Sequence, residues 1–450
     1  MGGADHNVSR PAWACQRWAF MVAGLLCASF GLCESCWGQR DSAATESEWS
    51  ESTHPLQRGD AHRDDGLNGL ADMDGMLYGS EHLSRFLASW HALLFDESSE
   101  APMLDGPLQV VHFGGSHVQA GRIGWAFRQR LREDRPGVVV GCGIQSPHRL
   151  MESNGPPERG WSSPAVWTGQ SCANRRHRGD WGITGVEAIS TSAAPVSCWS
   201  GSPAGEHCIS EIRVLSRPDT ATGWQPLLPQ VWVPMLEAQS AAGITQWVGP
   251  EGGTAPDTLT LQPTAPGAQA LHGVEWIPEQ AGFVFHDLGA NGASSTSWMR
   301  NPHFPEQLRT IAPDLVILAW GINDAHMAQS RFDVDRFSKH YAALIDSIRM
   351  ARPEIEILLV TNNDSHYRHR HNPNAEDVRR AMLDLVSQRG VACWDLYGHL
   401  GGAGSIDALN ACGFAAGDRL HFRKDGYILM GELLYELLLR AAIQHRTPSP

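Results

Sequence analysis

The sequence is short of positive charge. Lys and Arg number 35 against 49 Asp and Glu, for a formal net charge of −14 over 450 residues. A surface this acidic argues against a nucleic-acid backbone or an anionic bilayer as the main partner. No Cys-x-x-Cys pair recurs with zinc spacing, which argues against a structural zinc site. No internal repeat is present, so stacked-repeat architectures are excluded. The leading membrane-span candidate, Trp18 to Cys33, is sixteen residues, below the roughly 20 that a spanning helix needs. What the chain does have is apolar material, 42% against 19% charged, enough for a packed core and incompatible with global disorder. Its length suits two or three domains. Forty-six Gly, 27 Pro and 17 Trp imply many turns and several aromatic anchors.

Residues 1–38 read as an export signal. Arg10 and Arg17 precede the uncharged stretch, Glu34 closes it, and Cys36 and Gly38 place small residues before Gln39. The alternative is an uncleaved anchor. The expected location is therefore secreted, periplasmic or cell-envelope, with no span in the mature chain. Residues 39–75 carry Asp41, Glu46, Glu48 and Glu51 among few apolar residues and read as a disordered linker. Six cysteines follow the leader: Cys142, Cys172, Cys198, Cys208, Cys393 and Cys412. An even number in an exported chain suggests disulfides. The local pairs would be Cys198 with Cys208 and Cys393 with Cys412, although spacing alone does not fix connectivity and buried free thiols are the alternative.

Beyond residue 75 the pattern is α/β. Leu83, Phe86, Leu87, Trp90, Leu93 and Leu94 recur at helical spacing. Leu108 to Phe113 is an apolar strand running into Gly114-Gly115-Ser116-His117, with a helical pattern after it. Residues 143–281 differ. They hold eight Trp and short alternating runs between turn signals, the pattern of an inserted β-sandwich. From 282 to 445 apolar strands (282–288, 314–320, 355–360 and 391–396) alternate with helical stretches, which means a parallel sheet covered on both faces. The hydrolase-like domain would thus comprise 76–142 and 282–445. Ligands of such sheets bind beyond the carboxyl ends of the strands.

Four chemically useful groups fall at such positions. Ser116 starts a helix after a buried strand. His421, in Asp418-Arg419-Leu420-His421, could take the proton of Ser116, with Asp418 orienting the ring. Gly292 offers an unobstructed backbone N–H, and Asn323 a side-chain amide, for a developing oxyanion. Each alone has a plainer reading as a turn glycine, a helix cap or a solvated pair.

Taken together and in this order, the blocks Gly114-Gly115-Ser116-His117, Gly289-Ala290-Asn291-Gly292-Ala293, Gly321-Ile322-Asn323-Asp324 and Asp418-Arg419-Leu420-His421 resemble the SGNH (GDSL-like) hydrolase family. The likeness spans about residues 77–438, interrupted by the insert. It is nearest to a secreted bacterial branch with a Gly-Asp-Ser-His first block and an inserted β-domain. The resemblance implies a three-layer, flavodoxin-like parallel sheet. It implies Ser116 as nucleophile, His421 as base and then acid, and Asp418 as its orienter. Ser116 N–H, Gly292 N–H and the Asn323 amide would form the oxyanion hole, and no metal or organic cofactor is required. The expected activity is removal of O-acyl, chiefly O-acetyl, groups from an acylated cell-wall or extracellular polysaccharide. The alternatives are an O-acetyltransferase using the same residues and a catalytically silent carbohydrate-binding protein. The last rests on Gly115, which replaces the family's usual Asp, and on the Trp-rich insert. For most of those Trp, core packing is the plainer role. A base must be neutral to accept a proton, so a rate loss below about pH 6 is expected.

Overall fold

The computed structural model describes residues 75–95, 106–199, 209–217, 223–228, 232–234, 243–250, 258–278 and 282–446. The leader, nearly all of the linker and Cys208 lie outside the described residues.

A seven-stranded sheet organises the molecule. In spatial order its strands are Leu77–Tyr78, Ala392–Trp394, Glu356–Val360, Leu315–Ala319, Leu108–Gly114, Phe283–Gly289 and Val140–Gly141. Every neighbouring pair is parallel except the first. Leu77–Tyr78 is a short antiparallel edge strand, and the helical spacing that starts at Leu83 corresponds to the helix Ser84–Phe95, which buries Phe86, Leu87, Trp90 and Leu94. The near-continuous burial of Phe283–Gly289 and Glu356–Val360 follows from helices on both faces.

Helices Ser84–Phe95, Arg122–Asp134 and Lys424–Arg446 pack together, and Val334–Ala351 packs with Phe304–Ile311 and Asn374–Arg389. In the first layer Trp90, with no exposed surface, lies 5.6 Å from Phe127, 5.2 Å from Phe283 and 5.7 Å from Tyr435, centroid to centroid. In a second cluster Phe113 stacks on Trp320 at 5.7 Å and meets Trp298 and Phe304 edge-on. Rings of this size each contribute roughly 2–3 kcal/mol through burial, which explains why single aromatics recur on the inward positions.

Between Gly160 and Pro278 the chain leaves this sheet and builds three antiparallel sheets. Trp161, Trp224, Trp232, Trp247 and Trp276 are buried there in one apolar cluster with Val196, Leu259 and Leu261. Those indoles pack the core rather than face a ligand. The paired-cysteine expectation is corrected in two places. Cys393 is a free, buried thiol in the Ala392–Trp394 strand, and Cys198 is free and donates to Leu259 O at 3.7 Å. Burial pushes the Cys393 thiol well up, from 9.0, beyond the reach of ordinary thiolate chemistry.

Two buried histidines tie the acid stability of the fold to pH. His286, in the Phe283–Gly289 strand, accepts from Ile144 N at 3.1 Å. Burial, followed by the nearby Arg159, Arg213 and Arg128, lowers it from 6.5 to about 3. Burial and then Arg159 lower His148 to about 3 as well. In the unfolded chain both would protonate near 6.5, so the unfolded state binds more protons as pH falls from 6.5 toward 3. Stability is therefore full above pH 6.5 and lost on acidification through that window. Urea unfolding at pH 4 should show a loss of a few kcal/mol relative to pH 7; equal stability at both would contradict the neutral buried imidazoles.

Candidate active site

The site is assembled by strand register. Gly114 stands beside Gly289 on one side and Ala319 on the other, so three parallel strands finish level. The chain continues from these ends into Gly115-Ser116, Ala290 to Ala293 and Trp320 to Asn323. Polar turns widely spaced in sequence thus share one edge of the sheet, the usual place for a ligand.

Ser116 begins the short helix Ser116–Gln119. Its Oγ lies 2.8 Å from Nε2 of His421. The other ring nitrogen, Nδ1, is 2.7 Å from Asp418 Oδ2. A carboxylate only accepts hydrogen bonds, so Nδ1 carries the proton and Nε2 of the neutral ring is left to accept from Ser116. Asp418 Oδ1 also accepts from the backbone N–H groups of Leu420 and His421, both at 3.0 Å. Partial burial pushes Asp418 up, but the hydrogen bonds from the His421 ring and these backbone groups outweigh it. The net position is below the usual carboxylate value of 3.8. Asp418 therefore stays charged beside the imidazole.

The turn bearing His421 is braced from outside. Arg419 adopts a left-handed φ of 56°, costly for a residue with a Cβ. Its carbonyl accepts from His366 N at 2.8 Å, its Nε donates to Asp407 Oδ1 at 3.0 Å, and Asn363 Nδ2 donates to Leu420 O at 3.3 Å. His117 stacks on the His421 ring with centroids 5.3 Å apart. Burial, then the nearby His421, lowers His117 from 6.5 to about 3. It remains neutral at working pH and is too weak a base to compete for the serine proton.

On the opposite side, Asn323 Nδ2 donates to Ala293 O at 2.8 Å, which uses one of its two N–H bonds. Gly292, with φ 78°, occupies the intervening turn in a conformation that glycine adopts freely. Asn291 N–H donates to Gln119 Oε1 at 2.6 Å, while Gln119 Nε2 donates to Ser153 Oγ at 2.8 Å and Asn154 O at 2.7 Å. The following turn is held by Asp324, whose carboxylate accepts from Ser295 N and Oγ, the latter at 2.7 Å. All five residues singled out by sequence, Ser116, Asp418, His421, Gly292 and Asn323, thus lie on turns at this edge, and the first three form a continuous hydrogen-bonded chain. The bracing residues Gln119, Asn363 and Asp324 carry no such signal. Only Asp324 falls inside a recognisable block, and Gln119 looks like any polar helix residue.

Gly115 acquires a specific meaning. A Cβ built there would stand 2.8 Å from Asn323 Nδ2 and 3.5 Å from Ala293 O. The turn preceding the nucleophile and the amide therefore nearly touch, and a larger residue must displace the amide. Gly115→Ala is expected to lower kcat by up to about 100-fold, the lower end of the cost of a lost oxyanion donor because the amide is displaced rather than removed, with little change in melting temperature. An unchanged kcat would show that Asn323 is not held by this contact.

Among the described residues no group of three or more His, Cys, Asp or Glu is placed to hold a metal ion, and no helix is long and apolar enough to cross a membrane.

Residues 253–429 match the family model of the GDSL-like Lipase/Acylhydrolase family. Gly292, Asn323, Asp418 and His421 fall inside the match, and Ser116 precedes it on the far side of the antiparallel sheets. No curated protein matches the sequence. Among solved structures, a peptidoglycan O-acetylesterase superposes with a TM-score of 0.62 at 19% identity, covering 82% of this chain and 100% of its own. An acetyl xylan esterase (18% identity, TM-score 0.29) covers 35% of this chain and 81% of its own. A carbohydrate esterase family 3 protein from Talaromyces cellulolyticus (16%, 0.29) covers 36% and 72%. Residues 253–429 therefore match a GDSL-like (SGNH) hydrolase domain, and the fold is the one shared with the peptidoglycan O-acetylesterase.

Proposed function

We propose that the protein is an exported serine esterase that removes O-acyl groups, principally O-acetyl, from a polysaccharide of the cell wall or extracellular matrix. The observation that carries this reading is the 2.8 Å approach of Ser116 Oγ to His421 Nε2, across 305 residues of sequence, in register with Asp418.

As the Ser116 oxygen attacks the ester carbonyl carbon, its proton passes to His421 Nε2. The positive charge on the ring is then balanced by Asp418, already ionised and 2.7 Å away. The carbonyl oxygen becomes an oxyanion, facing Ser116 N–H, Gly292 N–H and the remaining N–H of Asn323. Collapse expels the sugar oxygen, which takes the proton from His421. Water, deprotonated by the same nitrogen, attacks the acyl-serine and releases the carboxylic acid with Ser116 restored.

An acetylated glycan substrate is supported by the peptidoglycan O-acetylesterase that aligns over its whole length, together with the export-type leader in the sequence. A test is acetate release from O-acetylated peptidoglycan and from O-acetylated xylan, with a fluorophosphonate probe reporting on Ser116. Labelling with acetate release supports the esterase; neither would reject it. The N-terminus of the exported protein should be Gln39, and recovery only of chain beginning at Met1 would reject cleavage there.

A further inference from the structure

Beside the site of this acidic molecule stands a short segment rich in Arg and His. The net charge is −14, yet one stretch reads His366-Tyr367-Arg368-His369-Arg370-His371. It forms a hairpin in which His366 faces His371 and Tyr367 faces Arg370, leaving Arg368 and His369 as a two-residue turn. Both have positive φ, 50° and 63°. Turns of this kind favour Asn-Gly because a Cβ is strained there. Here two bulky basic side chains occupy it.

The carboxylate partners of the hairpin stop at its base. His366 lies 3.2 Å from Asp407, and His371 lies 3.2 Å from Asp364. Among the described residues no ion pair reaches Arg368, His369 or Arg370, all of which are exposed. The Arg368 guanidinium lies 5.3 Å above the Tyr367 ring. The hairpin also touches both halves of the site. His366 N–H donates to Arg419 O in the turn that bears His421. The Tyr367 ring meets His326 edge-on at 5.1 Å, directly after the short helix that contains Asn323.

We propose that the hairpin 366–371 is a subsite for an anionic glycan. Arg368 and Arg370 would grip carboxylates on sugar units adjoining the one whose ester lies at Ser116. The inference rests on the esterase reading and narrows its substrate to acylated polysaccharides that bear acidic groups. A guanidinium presents a planar fork of donors that matches a carboxylate in two parallel hydrogen bonds. Stacking on Tyr367 pre-organises one such fork, so less freedom is lost on binding. An Arg pair beside the site of an acidic protein also concentrates an anionic polymer at the catalytic edge while the remaining surface repels it, an effect that salt should screen.

The test compares wild type with the double variant Arg368→Gln/Arg370→Gln of the full chain. The substrates are O-acetylated oligogalacturonate (carboxylates), an O-acetylated oligosaccharide phosphate and neutral O-acetylated xylo-oligosaccharide, with p-nitrophenyl acetate reporting Ser116 chemistry alone. The expected result is a wild-type kcat/KM at least tenfold higher on the oligogalacturonate than on the neutral substrate at low salt. That preference should collapse in the variant through KM and in wild type at 0.5 M salt. Preference for the phosphate substrate instead would overturn the carboxylate assignment. An equal fall on charged and neutral substrates, or none, would overturn the subsite. If wild type fails even on p-nitrophenyl acetate, the esterase reading fails separately. Calorimetric binding of unacetylated oligogalacturonate to the two proteins then still decides the hairpin, with equal affinities rejecting it.

Discussion

Ser116→Ala should reduce ester hydrolysis by about 10⁴- to 10⁶-fold while leaving the melting temperature nearly unchanged. In the proposed mechanism the oxygen removed is the attacking atom, and His117, the ring stacked on His421, is buried and stays neutral. The residual rate comes from the N–H donors acting on water, which in serine hydrolases amounts to roughly 10³- to 10⁴-fold over the uncatalysed reaction. His421→Ala should fall to a similar level, and combining the two should add little, because residues acting as one unit are not additive. Kinetics with p-nitrophenyl acetate, alongside thermal melts, check this. A Ser116→Ala protein retaining more than a tenth of wild-type kcat would overturn the nucleophile assignment.

Arg128→Met is the second large effect, and it falls on stability. Arg128 projects from helix Arg122–Asp134 and is 1% exposed. Its guanidinium donates to Glu158 Oε1 at 2.9 Å, Asp287 Oδ2 at 3.3 Å and Phe285 O at 3.4 Å. Asp287, equally buried in the central sheet, has His112 and Arg159 at 3.7 and 3.9 Å. Gly124 makes room for this carboxylate, since a Cβ there would land on its oxygens. Removing the cation leaves Asp287 and Glu158 undercompensated in a low-dielectric interior, which costs about 3–5 kcal/mol. At about 2 °C per kcal/mol for a chain of this size, the melting temperature should drop by about 6–10 °C. Adding Asp287→Asn to Arg128→Met should recover part of the loss, because it removes the stranded charge. A drop under 2 °C for the single variant would show that water reaches the cluster.

These two sites differ in how far they could be read from sequence. The strand 283–289 shows as an apolar run, but Asp287 within it is a charged residue in a buried parallel strand, and only its partners explain it. Those partners, Arg128 on a helix and Glu158 after the first hydrolase segment, have no pattern linking them. The hydrogen-bonded chain Ser116–His421–Asp418 could be anticipated because the proposed chemistry demands specific residue types at strand ends, and the order Ser, Gly, Asn, Asp-x-x-His is restrictive. Gln119 and Asn363 could not, because a hydrogen bond from an amide to a backbone carbonyl constrains neither spacing nor neighbours. Gly115 looked like a defect by comparison with the usual first block. Its proximity to Asn323 gives it a steric role that a sequence cannot display. The cysteine pairing failed for a related reason: parity counts residues, whereas a disulfide requires two thiols to meet, and Cys393 is enclosed in the central sheet.

The 305-residue separation between the hydroxyl and its imidazole bears on biosynthesis. A ribosome makes Ser116 long before His421, and the antiparallel sheets must be threaded out between them. The Ser116 hydroxyl therefore has no imidazole partner until the chain beyond residue 421 has been made and folded back onto the sheet edge.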